Sequence, residues 1–217
     1  MAALIDLLNR HQRYADAETW LRRYIKQHPE DSSAVVLLGQ TLIAQGKSEE
    51  AIALLKPLST PLTGRINLQL ADMYIDDKKY EAAVPLLQQL LQQNPSDARL
   101  HLRLGLAWLH LLKYADAEAE LLRAVQLKPD LTEAYFDLAY AAQQNKHYEL
   151  SIRALDARAK LQPETAGTYW LRATSYDSLG AFKPAAENYK LFLAASGGRS
   201  PDQEFQARHR LKAITPQ

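Results

Sequence analysis

With 217 residues, the chain is long enough for one or two ordinary domains, and 26 Lys and Arg against 25 Asp and Glu leave a net charge of +1. That balance argues against a dedicated nucleic-acid binder, which carries a basic face or stripe. The lack of cysteine excludes disulfides and leaves the redox compartment unread, and no run of about 18 apolar residues offers a transmembrane helix.

In chain order, the first helix is predicted from about Ala2 to Arg10, with a turn at His11-Gln12-Arg13 and a second helix to about Gln27. His28-Pro29 ends it, because proline disfavours helical geometry in the residue before it. Glu30, Asp31, Ser32 and Ser33 then supply side-chain acceptors for the free N–H groups of the next helix. The next hairpin passes through Leu38-Gly39, turns at Gly46-Lys47 and runs from Ser48 towards Ser59. Glu49 and Glu50 lie at a helix N-terminus, where the macrodipole favours negative charge. The segment Lys56 to Gly64 is irregular, since Pro57 falls late in a helix and removes a hydrogen bond. A shortened helix and an altered step between units are expected there. Further hairpins start near Gly64, Ala98, Thr132 and Ala166, the last turning at Gly180-Ala181 and ending at Ser196-Gly197-Gly198. Ser200-Pro201-Asp202-Gln203 then reads as a helix start. Ser200 is placed to cap, Pro201 suits the first helical position and Gln203 can complete a capping box. Phe205, Ala207, Leu211 and Ile214 would form one apolar side of this tail, with Arg208, Arg210 and Lys212 left polar, as a solvating lid.

These hairpins are copies of one pattern. A small residue recurs at Gly39, Ala71, Gly105, Ala139 and Ala173, with steps of 32, 34, 34 and 34. Ala17, Ala51, Ala83, Ala117, Ser151 and Ala185 repeat with the single step of 32 at the same junction, and Pro95, Pro129 and Pro163 are 34 apart. A period of 34 is the signature of a helix–turn–helix array. The small residues would mark the closest approach of two helices. Leu21, Leu55, Leu87, Leu121, Leu155 and Tyr189 would be core, and Tyr14, Tyr80, Tyr114, Tyr148 and Phe182 would fill the wedge behind each turn.

The pattern resembles the tetratricopeptide repeat. The central unit offers His101, Leu104-Gly105, Trp108, Ala117, Leu121 and Pro129, departing at the opening Trp and carrying Trp in place of Tyr. The following unit offers Tyr135, Leu138-Ala139, Ala142, Ser151, Leu155 and Pro163. The resemblance covers almost the whole chain and implies an all-α, right-handed superhelical α-solenoid of TPR helix hairpins with a C-terminal capping helix. The units fall at about 1–31 (partial), 32–63, 64–97, 98–131, 132–165 and 166–199, with the cap at 200–215. Read as one array, the phase would begin the first unit before Met1. The chain therefore starts either with a clipped repeat or as a segment of a longer protein, the latter being favoured. The compartment stays open: cytoplasmic by default, exported if a leader precedes.

The resemblance also implies which face works, the inner side of the first helices. There the chain places Arg65, Leu68 and Asp72; Arg99, Leu102, Arg103 and Leu106; Phe136 and Tyr140; Trp170 and Thr174. These would form an apolar strip flanked by arginines, suited to a peptide or an amphipathic helix of a partner protein. The bland alternative, that winding buries them against neighbouring units, stays open. Chaperone-binding members of the family clamp a C-terminal carboxylate with Lys and Asn residues. Arg99 and Arg103 match one pair in type, but Val36, Gln40 and Gln69 hold the other places, which argues against that ligand. The six histidines are scattered, with no metal-ligand pair, phosphate loop, serine elbow or cysteine nucleophile. No catalysis, cofactor or metal is expected, nor nucleic-acid binding or membrane insertion. The chain is expected to be a protein-binding scaffold, monomeric or weakly self-associating. A structural assembly part, self-associating or held within a larger chain, is the alternative.

Overall fold

The computed structural model describes residues 2–58 and 64–215, and every regular helix among them is α-helical except one short 3-10 turn. The chain forms two compact units, Met1–Pro95 and Ser96–Gln217. The first contains the hairpins α1 (Ala2–Arg10) with α2 (Tyr14–Gln27), α3 (Ser32–Ala44) with α4 (Ser48–Leu55), and α5 (Gly64–Asp76) with α6 (Tyr80–Gln93). The second contains α7 (Ala98–His110) with α8 (Tyr114–Leu127), α9 (Thr132–Gln144) with α10 (Tyr148–Ala159), and α11 (Ala166–Ser178) with α12 (Phe182–Ser196). It closes with α13 (Pro201–Ile214). Within each unit the hairpins stack side by side as an α-solenoid.

The recurring residues do the packing their spacing predicts. Leu21, Leu55, Leu87, Leu121 and Leu155 are completely buried, and Tyr189 nearly so. A Cβ placed on Gly105 would lie 2.6 Å from Leu121 Cγ, and one on Gly39 2.7 Å from Leu55 Cδ1. No real side chain tolerates such contacts without movement, so these glycines set how closely the two helices of a hairpin approach. The aromatic residues that open the second helices are half-buried in the wedge, Phe182 excepted, which is exposed.

Every hairpin turns in the same way. Gln12, Gly46, Lys78, Leu112, Lys146 and Gly180 all have positive φ, between 57° and 75°. The next residue reaches back to the first helix, as in Lys113 N–H to Trp108 O at 2.9 Å and His147 N–H to Ala142 O at 2.7 Å. This satisfies carbonyls that a helix end would leave without partners. Only two of these six positions are glycine, so the other four hold an L side chain in left-handed backbone.

Between hairpins, Asp31 accepts from the Ser33 and Ala34 amides, and Asp97 from those of Arg99 and Leu100. Polar ties join adjacent hairpins at two equivalent places. Glu18 accepts from Gln45 (2.8 Å), Lys47 (2.7 Å) and Arg22 (2.8 Å). Hydrogen bonds from Lys47, Arg22 and Gln45 hold its carboxyl at about 2. One hundred residues on, Glu118 accepts from Asn145 at 2.9 Å and contacts His147 at 2.9 Å.

The irregular junction has the predicted shortened helix, since α4 has 8 residues where α6 and α8 have 14, and Pro57 sits in a 3-10 turn, Lys56–Leu58. Residues 59–63, with the rest of that expectation, lie outside the described residues. The C-terminal lid departs from expectation in detail. Ser200 makes no side-chain cap to α13, and the buried residue one turn in is Glu204. Its Oε1 accepts from Ser196 Oγ at 2.5 Å and the Gly198 amide at 2.7 Å, and its Oε2 from Arg208. The Ser196 bond leads the contacts that hold the Glu204 carboxyl below the usual range, against the cost of burial. Phe205, expected on the apolar side with Ala207, is instead 70% exposed, while Ala207 is fully buried. A helix places residues two apart on different faces, so Ala207 and Phe205 cannot both point inward.

Two outcomes are expected. Gly105→Val should lower stability by about 2–3 kcal/mol, and adding Leu121→Ala should cost much less than the sum of the single changes, measured by a denaturant double-mutant cycle. Leu112→Gly, at an exposed left-handed turn, should raise stability by about 0.5–1 kcal/mol in the same assay, a gain absent if the turn carries no strain.

Candidate partner-binding surface

In the C-terminal unit the first helices of consecutive hairpins touch, α7 against α9 and α9 against α11. Because they are in phase at 34 residues, equivalent positions fall in rows: Leu102, Phe136 and Trp170 in one, Leu106, Tyr140 and Thr174 in another, Arg103 and Asp137 in a third. The inner-face residues singled out from sequence divide accordingly.

Some are absorbed by packing. Leu102 is only 8% exposed and belongs to the core shared with Leu121, Leu131 and Leu138. Trp170 is half-buried and packs on α12, its ring 5.9 Å from Tyr189 and 5.1 Å from Phe192. Thr174 Oγ1 accepts from Gln143 Nε2 at 2.6 Å, which ties α11 to α9. Asp177, at the end of α11, accepts from Arg210 at 2.6 and 2.8 Å and from the Tyr189 hydroxyl at 3.1 Å, so it anchors α13. Burial, then the neighbouring Asp177 carboxylate, pushes the Tyr189 hydroxyl far above its ordinary value. Arg210 therefore does structural work, where the sequence leaves it among the polar residues of the lid.

Others stay open. Arg99 is exposed, and Arg103 and Leu106 are half-buried on α7. On α9, Tyr140 is 40% exposed with its ring edge-on to Tyr114 at 6.2 Å, and Phe136 is half-buried. The Phe136 ring lies against α11 at Gly167, where a Cβ would sit 3.6 Å from the ring, an ordinary contact distance. In the N-terminal unit, Arg65 is exposed and Leu68 and Asp72 are half-buried on α5.

Sequence reasoning missed Asp137. It lies in an apolar run, Ala134-Tyr135-Phe136-Asp137-Leu138-Ala139, 34 residues after Arg103, and that register was the available signal. Asp137 lines a cavity of about 300 Å³ with Thr132, Glu133, Phe136, Arg158, Gln162 and Thr165. It has no hydrogen bond or ion pair among the described residues, and burial alone pushes its carboxyl up to about 6. Of the histidines, His101 is mostly buried and contacts Glu120 at 2.6 Å, while His110 is exposed at the end of α7. Among the described residues no group of three His, Cys, Asp or Glu could hold a metal ion, and no helix is long and apolar enough to cross a membrane.

The Asp137 carboxyl gains its proton more readily folded than unfolded, so it costs stability that appears as pH rises from about 4 to 6 and is complete above that range. Asp137→Asn should therefore be more stable than the parent by about 1–3 kcal/mol at neutral pH and indistinguishable from it near pH 4. Thermal unfolding across that range checks this, and a variant no more stable at neutral pH would contradict the desolvated carboxylate.

Comparison with known proteins agrees with this architecture. Two sequence profiles described as tetratricopeptide repeat match residues 3–63 and 68–132. A tetratricopeptide repeat-containing protein, trd-1, of Caenorhabditis elegans is 27% identical over 194 residues, 88% of this chain and 24% of its own. The protein STIP1 homolog of Dictyostelium discoideum is 28% identical over 118 residues, 54% of this chain and 21% of its own. The chain thus spans a quarter or less of the length of these relatives. Among solved structures, a MamA protein superposes with a TM-score of 0.71 at 19% identity, covering 80% of this chain and 96% of that one. MamA of Desulfovibrio magneticus RS-1 gives 0.68 at 17% identity, covering 74% and 92%. At these identities the likeness is one of fold. With the repeat in phase from α1 to α12 and both profiles matching it, the chain belongs to the tetratricopeptide repeat family, whose helix hairpins serve as protein-interaction scaffolds.

Proposed function

We propose that the chain is a non-catalytic interaction module whose C-terminal unit captures a peptide or helix of a partner protein along α7 and α9. The observation that carries this reading is the set of partly exposed apolar and aromatic side chains on α7 and α9, Leu106 and Tyr140 at in-phase positions and Phe136 one turn before Tyr140, on the helix pair that also carries Arg99 and Arg103. Aromatic and arginine residues are the usual anchors of interfaces, because they combine large contact area with directional hydrogen bonding. Leu102, Trp170 and Thr174 support the surface from behind, since packing already engages them. Arg65, Leu68 and Asp72 belong to the N-terminal unit and are proposed as a separate contact region there.

The test is capture of partner from lysate of the source organism by the immobilised chain. Arg99→Glu with Tyr140→Ser should weaken retention of the captured protein at least about tenfold, a loss of about 1.4 kcal/mol. Ala119→Glu, on the exposed side of α8, should leave it unchanged. Equal retention by all three proteins, with circular dichroism unaltered, would sink the surface.

A further inference from the structure

We infer that the cavity beside Asp137 is a subsite for one cationic side chain, a lysine ammonium or an arginine guanidinium, presented by the bound protein segment. The cavity lies where α9 meets the end of α10 and the connection into α11, next to the open residues of α9. For its macromolecular source the inference rests on the interaction reading above, but the cavity's chemistry can be tested without a partner.

Three features select a cation. Glu133 and Asp137 line the cavity one helical turn apart on α9, so two carboxyl groups contribute to its lining. The cavity also contains Arg158, whose Nη1 donates to Pro163 O at 3.4 Å; its Nε lies 2.8 Å from the Gln162 side-chain amide, which accepts once that amide is turned with its oxygen toward Arg158. Asp137, by contrast, has no partner among the described residues, and burial alone acts on its carboxyl. A half-buried acid without a partner costs stability, and such costs are tolerated where a ligand supplies the missing interaction.

The third feature is the Phe136 ring. It is held against Gly167 on α11 and forms a wall of the same cavity as the carboxylate. A cation beside an aromatic ring and a desolvated carboxylate gains from both, through the ring quadrupole and a charge-assisted hydrogen bond. Other occupants fit worse. An anion would meet two carboxylates against the single Arg158 guanidinium, an apolar group would leave Asp137 without a partner, and no metal-ligating group of three exists among the described residues.

The experiment is an amide NMR titration of the 15N-labelled chain at neutral pH with three small probes. These are the N-acetyl N-methylamides of lysine, arginine and norleucine, the last matching lysine in shape without its charge. Lysine or arginine probes should shift the Phe136, Asp137 and Thr165 amides saturably, at least about tenfold more tightly than norleucine. The tighter of the two cationic probes identifies the preferred side chain. Asp137→Asn should abolish these shifts while leaving the rest of the spectrum in place. Norleucine binding as well as lysine, undiminished binding to Asp137→Asn, or no saturable shift with either cation would overturn the subsite. Because the probes carry no peptide, these outcomes are independent of partner capture along α7 and α9. Loss of that capture surface with probe binding intact would refute only the surface.

Discussion

The approach of two helices at a residue too small to hold them apart is the constraint on which the structure depends. Where Gly105 meets Leu121 and Gly39 meets Leu55, there is no room for a Cβ. The leucine that fills this space is fully buried. Packing at interior density makes this contact stiff, since a change of one methyl group is felt at once. Each hairpin is thereby locked as a unit, and stacking hairpins within a unit buries the faces that a lone hairpin would expose.

Once that contact repeats, the rest must repeat with it. A hairpin of fixed separation needs a turn of fixed length, and all six use one left-handed residue followed by a bond back into the first helix. That four of these residues are not glycine shows how strongly the surrounding packing dictates the turn. The polar ties of Glu18 and Glu118 are local variations on the same junction, present where the neighbouring hairpin offers Gln45 and Lys47, or Asn145 and His147.

Residues left out of the repeat have divided fates. Trp170 and Asp177 look from their register like surface residues of a first helix, yet one is drawn onto α12 and the other holds α13 through Arg210. At the end of the array the capping helix takes the place a further hairpin would fill, and it recruits the nearest polar groups to do so. One hairpin earlier, no such demand acts on Asp137. Its carboxyl is desolvated without compensation, a departure from local consistency of the kind that gathers at working sites.

The sequence by itself determined the helices, their turns, the period and the buried leucines. These follow from local preferences and from contacts between residues at a fixed short spacing, which any reader of the pattern can align. The proline-interrupted junction was legible for the same reason, because a missing N–H shortens a helix wherever it occurs. Only the tertiary structure decided which inner-face side chains stay open. Whether Leu102 is covered and whether Asp137 has a partner depend on residues some 20 to 35 positions away in neighbouring hairpins, and whether Phe205 or Glu204 faces inward depends on how α13 seats against the end of α12. Burial and partnering are properties of that assembly and not of any one segment. The cavity at Asp137 exists only because α9, α10 and the entry to α11 meet there.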